Sequence, residues 1–354
     1  MIISPKITYL PSYSSSPHET EENLFISRGG FGVVYKYYHP IDEQVYAIKK
    51  IRLHQCDWKQ SFQEVKLLSQ LFHPHVIRYH HSWIELGKNQ TNDSSSFPSS
   101  SENLSSSSSS SSSCSMMEHD GQSIYLCYQM EYCPMSLESY LQEQRSLWFS
   151  SNQEHQIRTR TLDLYYQVQI MNGFRYLHEN GIIHGDIKPS NLLIQQNHCI
   201  KIADFGFSVI VTRTDDSVYD DTNSDVNPSM LGGGTTMYAS PEMLCRKTER
   251  RTPLLTFASD VFSVGLVCVE MNELFRTQME KSRTFHNIRR GDFSPYYKFF
   301  LSKMLFSSML CAESQRVSFT YCGSIFQSIY QSYRESESVL SAIVSQITSS
   351  LNKS

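Results

Sequence analysis

The segment LLIQQNHCIKIA lies between Asn191 and Asp204, and its pattern leaves the chain few ways to fold. Two apolar runs flank a polar centre, so the segment reads as strand, turn, strand. A hairpin of that kind returns the backbone and lets Asn191 and Asp204 face one site. An amide oxygen and a carboxylate are hard ligands, suited to a magnesium ion that also holds substrate phosphates. The stretch just before, HGDIKPSN at 184–191, supplies Asp186. Standing outside that ligand pair, Asp186 can accept a proton from an attacking hydroxyl.

A second group of residues lies far upstream. Ser27-Arg28-Gly29-Gly30-Phe31-Gly32-Val33-Val34 leads into the first of two alternating segments, FGVVYKYYHP and EQVYAIKKI, which read as antiparallel strands. Glycines there let a backbone turn tightly and bring its N–H groups close to phosphates, although a plain glycine hairpin is the commoner meaning of an isolated run. Lys49 follows on the next strand, in YAIK, between Ile48 and a second lysine and close to Ala47, an unusual setting for a solvated charge. SFQEVKLLSQL then places apolar residues 62, 65, 67, 68 and 71 at helical spacing. That puts Glu64 on a helix, where an ion pair would hold a phosphate-binding lysine in place.

Composition bounds the rest. Of 354 residues, 40% are hydrophobic, enough for a real core. Lys plus Arg number 31 and Asp plus Glu 35, and a net charge of -4 gives no general footprint for nucleic acid. The nine cysteines are odd in number, scattered and never spaced C-x-x-C, so reduced thiols in a cytoplasmic setting fit best. No signal peptide is visible, and the most apolar run, VFSVGLVCVEM at 261–271, is far too short to span a bilayer. Residues 1–21 read as a flexible leader. The tract at about 89–120, with serine unbroken from Ser105 to Ser113, reads as a disordered insert, because it buries too little apolar surface to offset ordering entropy. SIYLCYQMEY (123–132) reads as a strand, LESYLQEQ and TLDLYYQVQIMNGFRYLHENG as helices, and residues 336–354 as a helical tail with one apolar face.

Taken in order, these motifs resemble the eukaryotic protein kinases: the Gly-rich loop, the strand lysine, the helix glutamate, the catalytic loop, Asp204-Phe205-Gly206, Ser240-Pro241-Glu242, DVFSVG at 260–265 and Arg316 in ESQRVSF. The resemblance implies an α+β, bilobal fold over 22–335. Its small, mainly β N-lobe at 22–132 carries one key helix and the insert, and its larger, mainly α C-lobe spans 133–335. It implies ATP and Mg2+ as cofactors, with Asp186 as the base, Lys49 on the α and β phosphates, Glu64 orienting it, and Asn191 and Asp204 on the metal. Ser27, Arg28, Gly29, Gly30, Phe31, Gly32, Val33, Val34 and Ala47 would surround the nucleotide. Met130 would be the gatekeeper, and Glu131 to Cys133 the hinge that meets adenine. Lys188, two residues after the base, is similar to the serine/threonine enzymes, whose lysine contacts the transferred phosphate, and Thr235 resembles the threonine placed beside it. Leu68, Tyr79, His184 and Phe205 would form an apolar stack, Glu242 and Arg316 a brace, and Asp260 a support for the catalytic loop.

ELFRTQMEKSRTFHNIRRGDF, 273–293, resembles the helix with which the kinases of the translation initiation factor 2 alpha subunit dock their substrate. QMEYC, HSWIE and RGGFGVVYK point the same way. Charge pattern alone would make 276–290 a solvated basic helix carrying Arg276, Lys281, Arg283, Arg289 and Arg290. The resemblance implies the alpha subunit as protein substrate, a homodimer as an open option, and no direct partner in nucleic acid or membrane. A Wee-type cell-cycle kinase and a pseudokinase scaffold stand as alternatives, the latter because Ser27 and Gly185 depart from the family pattern. Most relatives carry arginine before the catalytic aspartate to clamp a phosphate on the activation loop. Gly185 and Val209 leave that clamp without two cations, beside a loop at 214–225 that already holds five aspartates.

Overall fold

The computed structural model describes residues 25–29, 32–54, 58–87, 118–119, 122–148, 153–211, 235–248, 255–273, 275–292, 308–332 and 334–335. The leader at 1–21, Gly30, Phe31, most of the serine tract, the loop at 214–225 with Arg213, and the tail at 336–354 lie outside them. Two compact units divide the chain. One takes in the residues up to Leu71 with Arg78–Tyr132, the other Phe72–Ile77 with the residues from Cys133 onward.

The first unit is an antiparallel sheet with one helix. Its elements are β1 (Phe25–Gly29), β2 (Gly32–His39), β3 (Gln44–Arg52), helix α1 (Trp58–Gln70), β4 (Tyr79–Gly87), β5 (Glu118–His119) and β6 (Gln122–Glu131). The strand order is β1-β2-β3-β6-β4, with β5 also on β6. Successive side chains of a strand point to opposite faces, and in β3 the buried positions alternate as Ala47, Lys49 and Ile51. Lys49 is therefore held on the inner face by the same register that buries two apolar neighbours.

β1 and β2 close on the pair Gly29–Gly32. Gly32 has φ 139°, and a Cβ there would stand 2.5 Å from the Lys50 carbonyl oxygen on β3, so only glycine fits.

Two expected boundaries shift. Glu118 and His119 pair with Ser123 and Gln122, so the tract expected as a disordered insert to about 120 ends in paired backbone. The serine run has given way there to residues whose amides and carbonyls join the sheet. Residues 72–77, inside the expected N-lobe, pack with the second unit instead: Val76 bridges Ile202, and the Ile202 amide donates to the His75 carbonyl at 2.9 Å.

The second unit is mainly helical. It contains β7 (Met135–Ser136), α2 (Leu137–Trp148), α3 (Gln153–Glu179), β8 (Ile182–Ile183), β9 (Leu192–Ile194), β10 (Ile200–Ile202), β11 (Val209–Ile210), α4 (Pro241–Thr248), α5 (Phe257–Glu273) and α6 (Gln278–Arg289). A further helix covers 319–332. α3 starts well ahead of Thr161, where the apolar pattern begins, and ends before Gly181, whose φ of 72° is the left-handed turn that terminates helices. α5 is the apolar run VFSVGLVCVEM, buried on nearly every side as a core helix. Among the described residues no helix is long and apolar enough to cross a membrane.

Burial also places one acid under strain. Asp163 on α3 is 1% exposed and accepts from the Tyr140 hydroxyl at 2.9 Å through Oδ1, while its Oδ2 has no partner among the described residues. Burial pushes its carboxyl up to about 7, although the Tyr140 hydrogen bond opposes the shift. Between about pH 4 and 7 the unfolded chain releases this proton and the folded chain keeps it, so this group's contribution to stability falls as pH rises through that window. We expect Asp163→Asn to raise stability by roughly 2–4 kcal/mol at pH 7.5. The gain should shrink toward zero near pH 4, measured by urea unfolding at both pH values; an equal gain at both would contradict the assignment.

Candidate active site

The residues singled out by sequence gather in two places, one in each unit. In the first unit the pairing is direct: Lys49 Nζ donates to Glu64 Oε1 at 2.9 Å, with the two residues 7% and 3% exposed. A buried ammonium and carboxylate are tolerated only when paired. The same Glu64 oxygen takes the Tyr128 hydroxyl at 2.7 Å.

Around this pair, β2 and β3 place Val33 opposite Lys50 and Val34 opposite Lys49. Ser27 and Arg28 pair with Val34 and Val33. Ala47 is buried and stands opposite Met130 on β6. Glu131 is already engaged: its carboxylate accepts the Arg78 amide at 2.6 Å and its own amide donates to the Arg78 carbonyl at 3.0 Å. Leu68 is 1% exposed, and the Tyr79 hydroxyl donates to Ser82.

In the second unit, β9 and β10 form the hairpin expected between Asn191 and Asp204, with Leu192 opposite Ile202 and Ile194 opposite Ile200. The Ala203 amide donates to the Asn191 carbonyl at 2.9 Å, so the residue before Asp204 is fastened to Asn191. Asp204 has φ 65°, a left-handed backbone costing about 1–2 kcal/mol for a residue with a side chain. Asn191 donates from Nδ2 to the Asp186 carbonyl at 2.8 Å and to Asp186 Oδ2 at 3.0 Å. That use of the amide nitrogen leaves Asn191 Oδ1, a hard neutral oxygen, as the donor atom for a cation. With the Asp204 carboxylate it makes the short oxygen set that magnesium takes when phosphates complete its shell, so the residues fit that ion. Among the described residues no group of three or more His, Cys, Asp or Glu side chains is placed to hold a metal.

Asp186 is 3% exposed. Its Oδ2 takes both Asn191 Nδ2 and Lys188 Nζ, the latter at 2.8 Å. Its Oδ1 has no hydrogen bond among the described residues and is left to accept a proton. The loop behind it hangs on Asp260, whose carboxylate accepts the His184 amide at 2.8 Å, the Gly185 amide at 3.1 Å and the His178 ring at 3.1 Å. His184 contacts the Ala203 carbonyl through Nε2 at 3.1 Å and takes the Asp186 amide on Nδ1 at 3.3 Å, a pair that fits the Nε2–H tautomer. Its ring lies 5.1 Å from that of Phe205. Gly185 has φ 77°, and a Cβ would come within 3.0 Å of the Phe207 carbonyl oxygen and 2.9 Å of Leu255, so glycine is the residue this backbone accepts.

Glu242 and Arg316 form a two-point pair, Nη1 to Oε1 at 2.5 Å and Nη2 to Oε2 at 2.9 Å. Arg316 also donates to the carbonyls of Cys311 and Ala258, which fixes α4 to α5. Cys133 is buried, and the Thr235 side chain lies outside what is described.

Helix α6 departs from the solvated basic face that its charges suggest. Thr277 caps it by accepting the Glu280 amide at 3.1 Å, and the Glu280 carboxylate reaches back past the cap to accept the Arg276 amide at 2.9 Å, so both side chains fasten the start of the helix. Lys281 is 5% exposed and donates to Glu270 at 3.0 Å. Glu270 also pairs with Arg145 and accepts the Tyr238 hydroxyl at 2.5 Å. Arg289 donates to the carbonyls of Thr236, Met237 and Ala239, and burial pulls its guanidinium down to about 10. Arg276, Met279, Arg283, His286 and Arg290 remain exposed. Sequence reading missed Tyr128, Glu270 and Tyr238, for nothing in spacing marks a phenol or a helix glutamate as a partner of a buried charge.

Comparison with known proteins places the chain among relatives. The chain is 27% identical over 346 residues to the eIF-2-alpha kinase GCN2 of Schizosaccharomyces pombe, covering 81% of this chain and 21% of that protein. It is 29% identical over 293 residues to the interferon-induced, double-stranded RNA-activated protein kinase of Mus musculus, covering 82% and 46%. To the eIF-2-alpha kinase GCN2 of Arabidopsis thaliana it is 31% identical over 294 residues, covering 79% and 22%. The chain thus spans less than half the length of each of these relatives. A family model described as the protein kinase domain matches residues 21–319, and with the two clusters built above this places the chain in that family: it belongs to the protein kinases.

Proposed function

We propose that this chain transfers the γ-phosphoryl group of ATP to a serine or threonine of a protein, and that the protein is the alpha subunit of translation initiation factor 2. The observation that carries the enzymatic reading is Asp186, a buried carboxylate whose Oδ2 is fixed by Lys188 and Asn191 while Oδ1 stays available. A binding scaffold has no need of that arrangement together with a buried Lys49–Glu64 pair.

In this reading Asp186 Oδ1 accepts the proton of the substrate hydroxyl as its oxygen forms a bond to the γ-phosphorus. The bond from that phosphorus to the bridging oxygen breaks, and ADP leaves. Lys188 steadies the transferred group, and Lys49, aimed by Glu64, holds the α and β phosphates. Magnesium on Asn191 and Asp204 would neutralise phosphate charge. Stabilisation of this kind is electrostatic and positional, so losing one charge costs far more than an exposed ion pair would. The substrate reading is supported by the similarity to eIF-2-alpha kinases and by the exposed face of α6, where Arg276, Met279, Arg283 and Arg290 offer mixed basic and apolar surface. An ATP enzyme acting on an initiation factor works in the cytoplasm, and restraint of translation would be its consequence.

Lys49→Met and Asp204→Asn should each lower phosphotransfer to myelin basic protein by at least about a hundredfold. Lys49→Met should melt below the wild type, because it leaves Glu64 buried without its cation, and Asp204→Asn near it; a variant that is still folded at the assay temperature with near wild-type turnover would remove the assignment. For the substrate, Arg283→Glu should weaken phosphorylation of the initiation factor by about tenfold and spare a short generic peptide. Arg289→Ala, by contrast, should impair both acceptors, because it releases the backbone at 236–239. Equal losses from Arg283→Glu on both acceptors would end the docking role.

A further inference from the structure

Lys49 and Glu64 meet a third side chain inside the first unit. Tyr128 lies on β6 directly opposite Lys49 on β3. It is fully buried, and its hydroxyl donates at 2.7 Å to the same Glu64 oxygen that takes Lys49 Nζ at 2.9 Å. The Lys49 ammonium also lies 5.7 Å from the centroid of its ring. A buried phenol requires a partner for its hydroxyl, and here that partner is a carboxylate, which makes the hydrogen bond short and stronger than one between neutral groups.

The consequence concerns helix α1, which carries Glu64. A lysine on a flexible stem can follow a moving carboxylate, whereas a phenol hydroxyl is fixed by a rigid ring packed into the sheet. With Tyr128 in place, α1 is bound to two adjacent central strands, β3 through Lys49 and β6 through the phenol. Turning Glu64 away would break two hydrogen bonds to one buried carboxylate at once, which is costly. Protein kinases are controlled in part by whether this ion pair is formed.

We infer that Tyr128 is a positioning residue that holds Glu64 on Lys49, so that the pair is formed before nucleotide arrives. The inference rests on Lys49 as the phosphate-binding residue of the proposed reaction.

The test uses Tyr128→Phe, which keeps the ring and removes only the hydroxyl, in the full chain. Amide exchange across 58–70 should accelerate about tenfold while exchange in α5 stays as in the wild type. kcat/KM for ATP should fall about tenfold, equivalent to ~1.4 kcal/mol. In a Glu64→Ala background the same substitution should leave exchange across 58–70 within about twofold, because the hydroxyl has lost the carboxylate through which it acts. Unchanged exchange across 58–70 would overturn the inference, as would an equal acceleration with and without Glu64, which marks a packing role alone. A wild-type protein that transfers no phosphate would refute the proposed function, and the exchange result would still decide the role of Tyr128.

Discussion

A buried carboxylate in the first turn of an apolar helix, Asp260, is the constraint on which the second unit's chemistry depends. At 2% exposed, it is tolerable only because the amides of His184 and Gly185 and the ring of His178 all turn toward it. Those two amides begin the loop that continues to Asp186, Lys188 and Asn191, so satisfying one buried charge orients the residues proposed to do the chemistry. The β9–β10 hairpin completes the arrangement by returning the chain from Asn191 to Asp204. The first unit solves a matching problem at Glu64, where Lys49 and Tyr128 share one oxygen. In both units a charge that water would otherwise solvate is bound by neighbours that also fix its direction.

Helix α6 shows a related division of labour. Lys281 and Arg289 face inward, the first to the Glu270 and Tyr238 cluster and the second to the carbonyls at 236–239. Arg276, Arg283 and Arg290 face outward. The inner cations tie the helix to the segment that precedes Ser240-Pro241-Glu242, and the outer ones supply the surface to which we assign substrate docking. Anything that shifts α6 therefore pulls on that segment through Arg289.

Much of this was legible in the sequence, and the parts that were not share a cause. Period-two alternation exposes β3, and with it the buried side of Lys49, because a strand leaves its side chains no third direction. The polar turn in LLIQQNHCIKIA likewise admits one reading. Charge pattern on a helix is weaker evidence: Lys281 and Arg289 look like members of a basic face until the Glu270 carboxylate and the carbonyls at 236–239 appear beside them. Tyr128 is hidden for a similar reason, since an aromatic in a strand suits the sheet whether or not its hydroxyl has a role. The backbone at Glu118–His119, which pairs with Ser123 and Gln122 across the hairpin dipeptide Asp120-Gly121, escaped because two residues are too short a strand to show alternation beside a long serine tract. Gly185, which reads as a missing arginine, occupies a left-handed backbone with little room for a side chain.

The central claim is that Asp186 serves phosphoryl transfer to the initiation factor's alpha subunit. Its most direct test is the rate of label transfer from γ-labelled ATP to purified alpha subunit, with wild-type chain beside Asp186→Asn. The account predicts label on serine or threonine with the wild type, and a rate lower by at least about a thousandfold in a variant that still folds and binds ATP. Equal rates from the two proteins, or no label from a folded wild type supplied with ATP and magnesium, would contradict it.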